Sequence, residues 1–176
     1  MKQTNKVLVF IALMIGMIFS ELDETVISTA MPTIIRDLHD MTLYGWVAGI
    51  YMLTMTACMP IMGKLSDIFG RKRLYLISIG LFIVGSLVSG SAPSMGLLLL
   101  GRGIQGIGAG GLMPLATVIF GENYTLEQRV KLQGLFGIMM ILPQLIGPMI
   151  GGYVVDHISW HWVFLINPPV SLLAAY

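Results

Sequence analysis

The chain has 176 residues, 56% hydrophobic and only 11% charged, with a mean hydropathy of +0.84. An ordinary soluble domain carries roughly a quarter charged residues, so too few polar groups are present to coat a globule, and the excess apolar surface calls for lipid. A net charge of +1 and one cysteine, Cys58, argue against a bulk attraction to nucleic acid and exclude an internal disulfide or a cysteine-rich metal site.

Lys2 and Lys6 precede an apolar run, Val7 to Phe19, that has the outline of a secretory signal, with Ser28-Thr29-Ala30 as its cleavage site. Further apolar stretches follow, and this one carries Glu21, Asp23 and Glu24, so it is read as a retained span over 7–32. A bilayer-crossing helix needs about 20 mainly apolar residues. Further spans are predicted over 44–62, 74–92, 97–120 and 134–155. A sixth starts at Val163 and has reached only about 14 residues at Tyr176, short of a crossing.

Between the second and third spans lies Gly63-Lys64-Leu65-Ser66-Asp67-Ile68-Phe69-Gly70-Arg71-Lys72-Arg73. Gly63 and Gly70 are expected to frame a tight reversal, because glycine accepts backbone angles that other residues resist. Asp67 is expected to pair with Arg71 or with a helix N-terminus. An ordinary basic loop would explain the lysine and arginines, but not the Gly–Asp–Gly frame.

The fourth span carries Arg102 and, just after it, Gly106-Ile107-Gly108-Ala109-Gly110-Gly111, a literal G-x-G-x-x-G with Glu127 further on. A nucleotide site would need a preceding strand and a soluble βαβ unit; glycines in mid-span offer neither. Glu21, Asp23, Glu24 and Arg102 all fall in hydrocarbon, where a lone charge costs at least ~2.5–3.5 kcal/mol, so each must face a partner or a cavity. Asp23 lies about 16 residues from the inner interface and Arg102 about 7 from the outer one, which places both in the outer half of the bilayer. They can meet if spans 1 and 4 pack together. Such a pair suits proton coupling: a carboxyl open to the outside takes up a proton and releases it when brought against the arginine. It equally suits a structural staple. Which acid would carry the proton is open, and Glu24 has a second reading as an attractor of cationic ligands.

The polar stretch Gly121 to Gln133 is read as a loop that can hold a short surface helix. In the fifth span Pro143 and Pro148 each remove a backbone donor and should bend the helix. Gly147 and Gly151 make a small-xxx-small face for close helix contact, suited to a hinge or a seal whose partner helix need not lie in this chain. Tyr44, Trp46, Trp160 and Trp162 fall on one side as an interfacial belt, with His157 and His161 beside them. Met14, Met17, Met52, Met55, Met113, Met139 and Met140 offer soft surface for varied apolar ligands or plain packing. Cys58 reads as inert packing.

The connections alternate in charge. Lys2, Lys6, Lys64, Arg71, Lys72, Arg73, Arg129 and Lys131 fall on one side and only Arg36 on the other, so the positive-inside rule puts the N-terminus in the cytoplasm.

The Gly63–Arg73 string closely resembles the signature loop of the major facilitator superfamily, in which the aspartate and arginine form a gate contact with the other half of the transporter. Leu22-Asp23-Glu24-Thr25-Val26-Ile27-Ser28-Thr29-Ala30-Met31-Pro32 resembles the first-span motif of its fourteen-helix drug:proton antiporters, with Ser28 where asparagine is usual. Leu100-Gly101-Arg102-Gly103-Ile104-Gln105-Gly106 is similar to the fourth-span arginine motif, and Gly147-Pro148-Met149-Ile150-Gly151-Gly152 to the fifth-span antiporter motif. The resemblance implies an all-α integral membrane bundle: five full spans and a partial sixth of a six-helix half built from two three-helix inverted repeats. It implies multidrug efflux across the cytoplasmic membrane, driven by a proton gradient with no cofactor. Expected partners are lipid, protons, hydrophobic or cationic small molecules, and a C-terminal half. Asp23, Glu24, Glu21, Arg102 and Gln105 would serve protons and substrate. A metabolite carrier on the same fold is the rival that the first- and fifth-span motifs disfavour. A non-transporting fragment, or half of a split transporter, is the other, and these residues alone are not expected to export drug.

Overall fold

The computed structural model describes residues 3–175, with the side chains of 3–9, 123, 131, 133, 136, 139 and 173–175 excepted. Lys2 and Tyr176, and the side chains of Lys6, Lys131 and Met139, therefore lie outside the described residues. The described chain is helical from end to end: α1 (Gln3–Leu38), α2 (Tyr44–Phe69), α3 (Arg71–Gly90), α4 (Met95–Asn123), α5 (Leu126–His157), α6 (His161–Leu165) and α7 (Asn167–Ala175). Among the described residues, α2, α3 and 95–122 of α4 are long and apolar enough to cross a membrane.

Helix limits run beyond the apolar stretches. At 1.5 Å per residue the 36-residue α1 is roughly 54 Å long against a hydrocarbon core of ~30 Å, so its ends continue past any apolar segment. The helices end where local chemistry stops them. After α1, Asp40 Oδ1 accepts from the Thr42 amide at 3.0 Å and the Thr42 hydroxyl at 2.6 Å, an Asx turn that redirects the chain. Ser94 caps α4, and Thr125 opens α5 with a capping box completed by Gln128.

Three expectations need correction. Gly63 does not help to frame the reversal: it lies inside α2, and Gly70 alone, at φ 90°, turns the chain between α2 and α3. The 121–133 stretch is not a loop, because the capping box at Thr125 starts α5 one residue after Tyr124. The sixth stretch is broken into α6 and α7 at Ile166, where Asn167-Pro168-Pro169 begins a new helix with prolines in its first turn.

α4 packs at the centre, most extensively against α3 and then α2, while α1 packs along α5, and α7 touches α1 and α3. Close approach is set by glycine. An added Cβ at Gly106 would collide with Thr54 and the Tyr51 carbonyl, and one at Gly108 would strike the α3 backbone at Ser78 and Phe82. The literal nucleotide signature is thus a helix-packing surface. Two apolar clusters result. One, towards Gly70, holds Met17, Tyr51, Phe82 and Leu115; the other, towards Trp160, holds Ile34, Val47, Leu98 and Phe164. Outward faces of α2 and α5 stay apolar and exposed, as at Leu53, Ile61, Leu145 and Met149. Tyr44, Trp46 and Trp162 are exposed as a belt requires, but Trp160 is buried and donates its indole N–H to Asp37 Oδ2 at 3.1 Å. Its burial corrects that part of the belt.

Candidate functional site

Between the two apolar clusters lies a polar layer. Asp23 of α1 is 2% exposed and Arg102 of α4 is 1% exposed. Arg102 Nη1 donates to Asp23 Oδ2 at 2.5 Å and to Gln105 Oε1 at 2.9 Å, and its Nε reaches the Val47 carbonyl at 3.4 Å. Gln105, one turn further along α4, donates through Nε2 to Asp23 Oδ1 at 2.8 Å and to Ser86 Oγ at 2.9 Å. Asn167 of α7 donates to the same Asp23 oxygen and, at 3.3 Å, to Ser86. The Arg102 guanidinium stands 4.0 Å from the centroid of the Tyr51 ring. Both carboxylate oxygens are therefore met by donors, which a buried ion pair requires before its Coulomb attraction can offset desolvation.

The neighbouring acids face elsewhere. Glu21 and Glu24 are half-buried and lie outside this network. Glu21 lines a cavity of about 500 Å³ between α1, α4 and α5, together with Ser20, Met17, Met113, Phe120 and Met140. Of the methionines singled out above whose side chains are described, Met17, Met113 and Met140 line it. Arg129 lines one end and is held there by carbonyls at and just beyond the end of α4: its Nε donates to Tyr124 O at 3.0 Å and its Nη2 to Gly121 O.

At the Gly70 end, Arg71 faces Asp67 at 3.5 Å and makes a second, closer ion pair with Glu122 of α4. Lys72 and Arg73 are exposed. Gly147 and Gly151 have their partner inside the chain: an added Cβ at Gly147 would collide with the Thr25 side chain, and one at Gly151 would sit 2.9 Å from Val26 O. The seam is α1 against α5, tied by Thr25 Oγ1 donating to Pro143 O at 3.2 Å. Gly152 has open space around it, and Pro148 is exposed. His157 stacks on Tyr153 and His161 on Trp160, and no group of metal-ligating side chains occurs among the described residues. Cys58 is half-buried against the cluster nearer Gly70.

Sequence reasoning missed Asn167, Ser86, Tyr51 and Glu122. Asn167 offered a signal, being an amide in an apolar run. Glu122 was hidden by reading 121–133 as loop, and Ser86 and Tyr51 look like ordinary span residues.

A family profile for the Major Facilitator Superfamily matches residues 13–176. Over 173 residues the chain is 43% identical to "Multidrug transporter protein MdtP" of Bacillus subtilis (strain 168), covering 98% of this chain and 32% of that protein. It is 41% identical to "Multidrug resistance protein 3" of the same organism, over 99% of this chain and 34% of that one. The chain thus spans about a third of the length of these relatives. Among solved structures, the human organic anion transporter MFSD10 (TETRAN) superposes with a TM-score of 0.78 at 19% identity, over 95% of this chain and 46% of that one, a likeness of fold.

Proposed function

This chain belongs to the Major Facilitator Superfamily, and from that premise we propose that it carries the proton-exchanging carboxylate of a multidrug exporter of the cytoplasmic membrane. The observation that carries the reading is the 2.5 Å contact between Asp23 and Arg102, both sealed from solvent. A carboxylate in that position can exist as an ion without protonation only while the arginine faces it. Taking up a proton releases Arg102, and losing it re-forms the pair, so the two states differ in how α1 and α4 are held together. That difference is the bistable element that alternating access needs.

Supporting features lie on both sides of the pair. The family relatives named above are multidrug proteins. The methionine- and phenylalanine-walled cavity offers adaptable apolar surface with one carboxylate, Glu21, which suits hydrophobic or cationic compounds. The basic residues at the Gly70 end support a cytoplasmic position for that end and the N-terminus under the positive-inside rule, and on that reading the cavity runs from mid-membrane towards the cytoplasmic side, where a drug to be exported would enter. The Arg71 contacts with Asp67 and Glu122 form the gate at this end, and the α1–α5 glycine seam keeps the bundle closed to leaks.

The second reading is a purely structural ion pair, favoured by the full set of donors around Asp23. Transport by the whole gene product separates the two. Asp23→Asn should abolish uncoupler-sensitive export against a gradient while still allowing downhill drug movement. Uphill export that persists in this variant assigns the pair to structure, and Glu21 or Glu24 to the proton.

A further inference from the structure

The sealed ion pair and the cavity are separated by one side chain. Tyr51 of α2 is itself buried, and it has two faces to its environment. Its ring lies under the Arg102 guanidinium at 4.0 Å, and its hydroxyl sits 3.3 Å from the hydroxyl of Ser20, which lines the cavity next to Glu21. One turn earlier on α2, the Val47 carbonyl accepts from Arg102 Nε. The α2 backbone at this level has no room to approach α4, because Gly106 is already against the Tyr51 carbonyl and Thr54. What can move at Tyr51 is therefore the ring and its hydroxyl.

We propose that Tyr51 is a positioning residue that makes the buried Arg102–Asp23 pair sensitive to what occupies the cavity. This rests on the proton-exchange reading above. A bulky cation drawn to Glu21 lies against Ser20 and takes up the space or the hydrogen bond that now holds the Tyr51 hydroxyl. The ring must then re-seat, and its attraction for Arg102, which acts only within about 6 Å of the centroid, changes with it. Arg102 is held by the Tyr51 face, Val47 O, Gln105 and Asp23, so a change at one partner alters its hold on the others. The balance is a single proton: in molecules whose Asp23 is protonated and whose pair with Arg102 is open, the carboxyl loses it to solvent as the pair seen here re-forms, and no other bond is made or broken. The charged groups facing Tyr51 are Asp23 and Glu24 from α1 and Arg102 from α4, while α3 and α7 bring only the uncharged Ser86 and Asn167 to the pair.

Binding and proton release are reciprocal by linkage, so the link is read as protons displaced per ligand bound. Tetraphenylphosphonium, a lipophilic cation, is titrated into the purified whole gene product by calorimetry in two buffers of different ionisation heat. Tyr51→Phe keeps the ring and removes the hydroxyl. It should at least halve the protons displaced while affinity changes less than threefold. Ser20→Ala, which removes the other hydroxyl without touching the core, should do the same. Asp23→Asn should remove the same portion, and the double variant Asp23→Asn/Tyr51→Phe should lose no more than Asp23→Asn alone. Whatever release remains belongs to Glu21, which lines the cavity, and to Glu24, one turn away on the same helix. Tyr75→Phe, at a buried tyrosine whose hydroxyl has no hydrogen-bond partner among the described residues, is the control and should leave release at the wild-type value. The link is overturned if Tyr51→Phe and Ser20→Ala release as many protons as wild type, or if the Tyr51 loss adds to that of Asp23→Asn. If wild type and Asp23→Asn release the same number, the proton-exchange reading itself has failed.

Discussion

The molecule sets arginine against carboxylate at two places, and the surroundings make them different devices. Arg102 and Asp23 meet where neither touches solvent, and Gln105, Asn167, Ser86 and Val47 satisfy what the pair leaves over. Arg71 meets Asp67 and Glu122 at a helix end, where the carboxylates are 68% and 56% exposed. In the first case separation strands two charges in a low dielectric; in the second, water is ready to replace either partner. The buried contact therefore holds one arrangement firmly, while the exposed contact can open and close within thermal reach. On the proposed reading, the buried pair would store the choice of state and the exposed pair would follow it.

The sharpest break of this comparison comes from removing one buried partner. Arg102→Met leaves the Asp23 carboxylate without its cation and should lower stability by about 3–5 kcal/mol. Replacing both partners at once, as Asp23→Leu/Arg102→Met, should recover most of that loss, because packed apolar side chains of similar volume leave no stranded charge. Thermal unfolding of the detergent-purified protein measures both. A single-variant loss below about 1 kcal/mol would put the buried pair in the same class as an exposed one.

The same subtraction at the exposed pair should separate stability from function. Asp67→Asn still leaves Arg71 with Glu122, and an exposed ion pair contributes no more than about 1 kcal/mol. The unfolding temperature should hardly move and the amount in the membrane should be unchanged. Drug efflux by the whole gene product should nevertheless fall at least tenfold, because Asp67 sits one turn from the Gly70 reversal. Full efflux with unchanged stability would remove Asp67 from the gate.

Several of these features were legible in sequence because their physics is one-dimensional. A charge in an apolar run must find a partner, so Asp23 and Arg102 could be paired from depth alone. Gly70 could be placed at a reversal because the chain returns into lipid immediately after it. Features that depend on helix rotation were not legible. Nothing in spacing says that α7 turns Asn167 towards Asp23, or that Tyr51 lies beneath Arg102. Gly147 and Gly151 showed a close contact but not its partner, and the partner proved to be Thr25 and Val26 on α1. Helix ends were the least legible, since helices outrun the apolar segments that reveal them. Gly63 and Glu122 both lie in such overrun helix ends, where spacing suggests a turn and a loop instead.

Asp40 tests the surface limit of the comparison, a carboxylate held by hydrogen bonds and in no ion pair among the described residues. The Thr42 hydroxyl, then the Thr42 and Leu43 amides, hold its carboxyl below its ordinary value of 3.8. A group whose folded value is lowered contributes order that is present above the unfolded value and is lost as pH falls through the folded one. The Asx turn between α1 and α2 should therefore be intact from pH 7 down to about 5 and loosen only below about 4. Because the turn lies at the surface between α1 and α2, the consequence is local. The Thr42 amide should lose its hydrogen-exchange protection at acid pH, while amides around Trp160 keep theirs. Protection lost between pH 7 and 5 would mean that the turn depends on a group other than Asp40. Protection that survives below pH 3 would mean that the backbone holds the turn without the carboxylate.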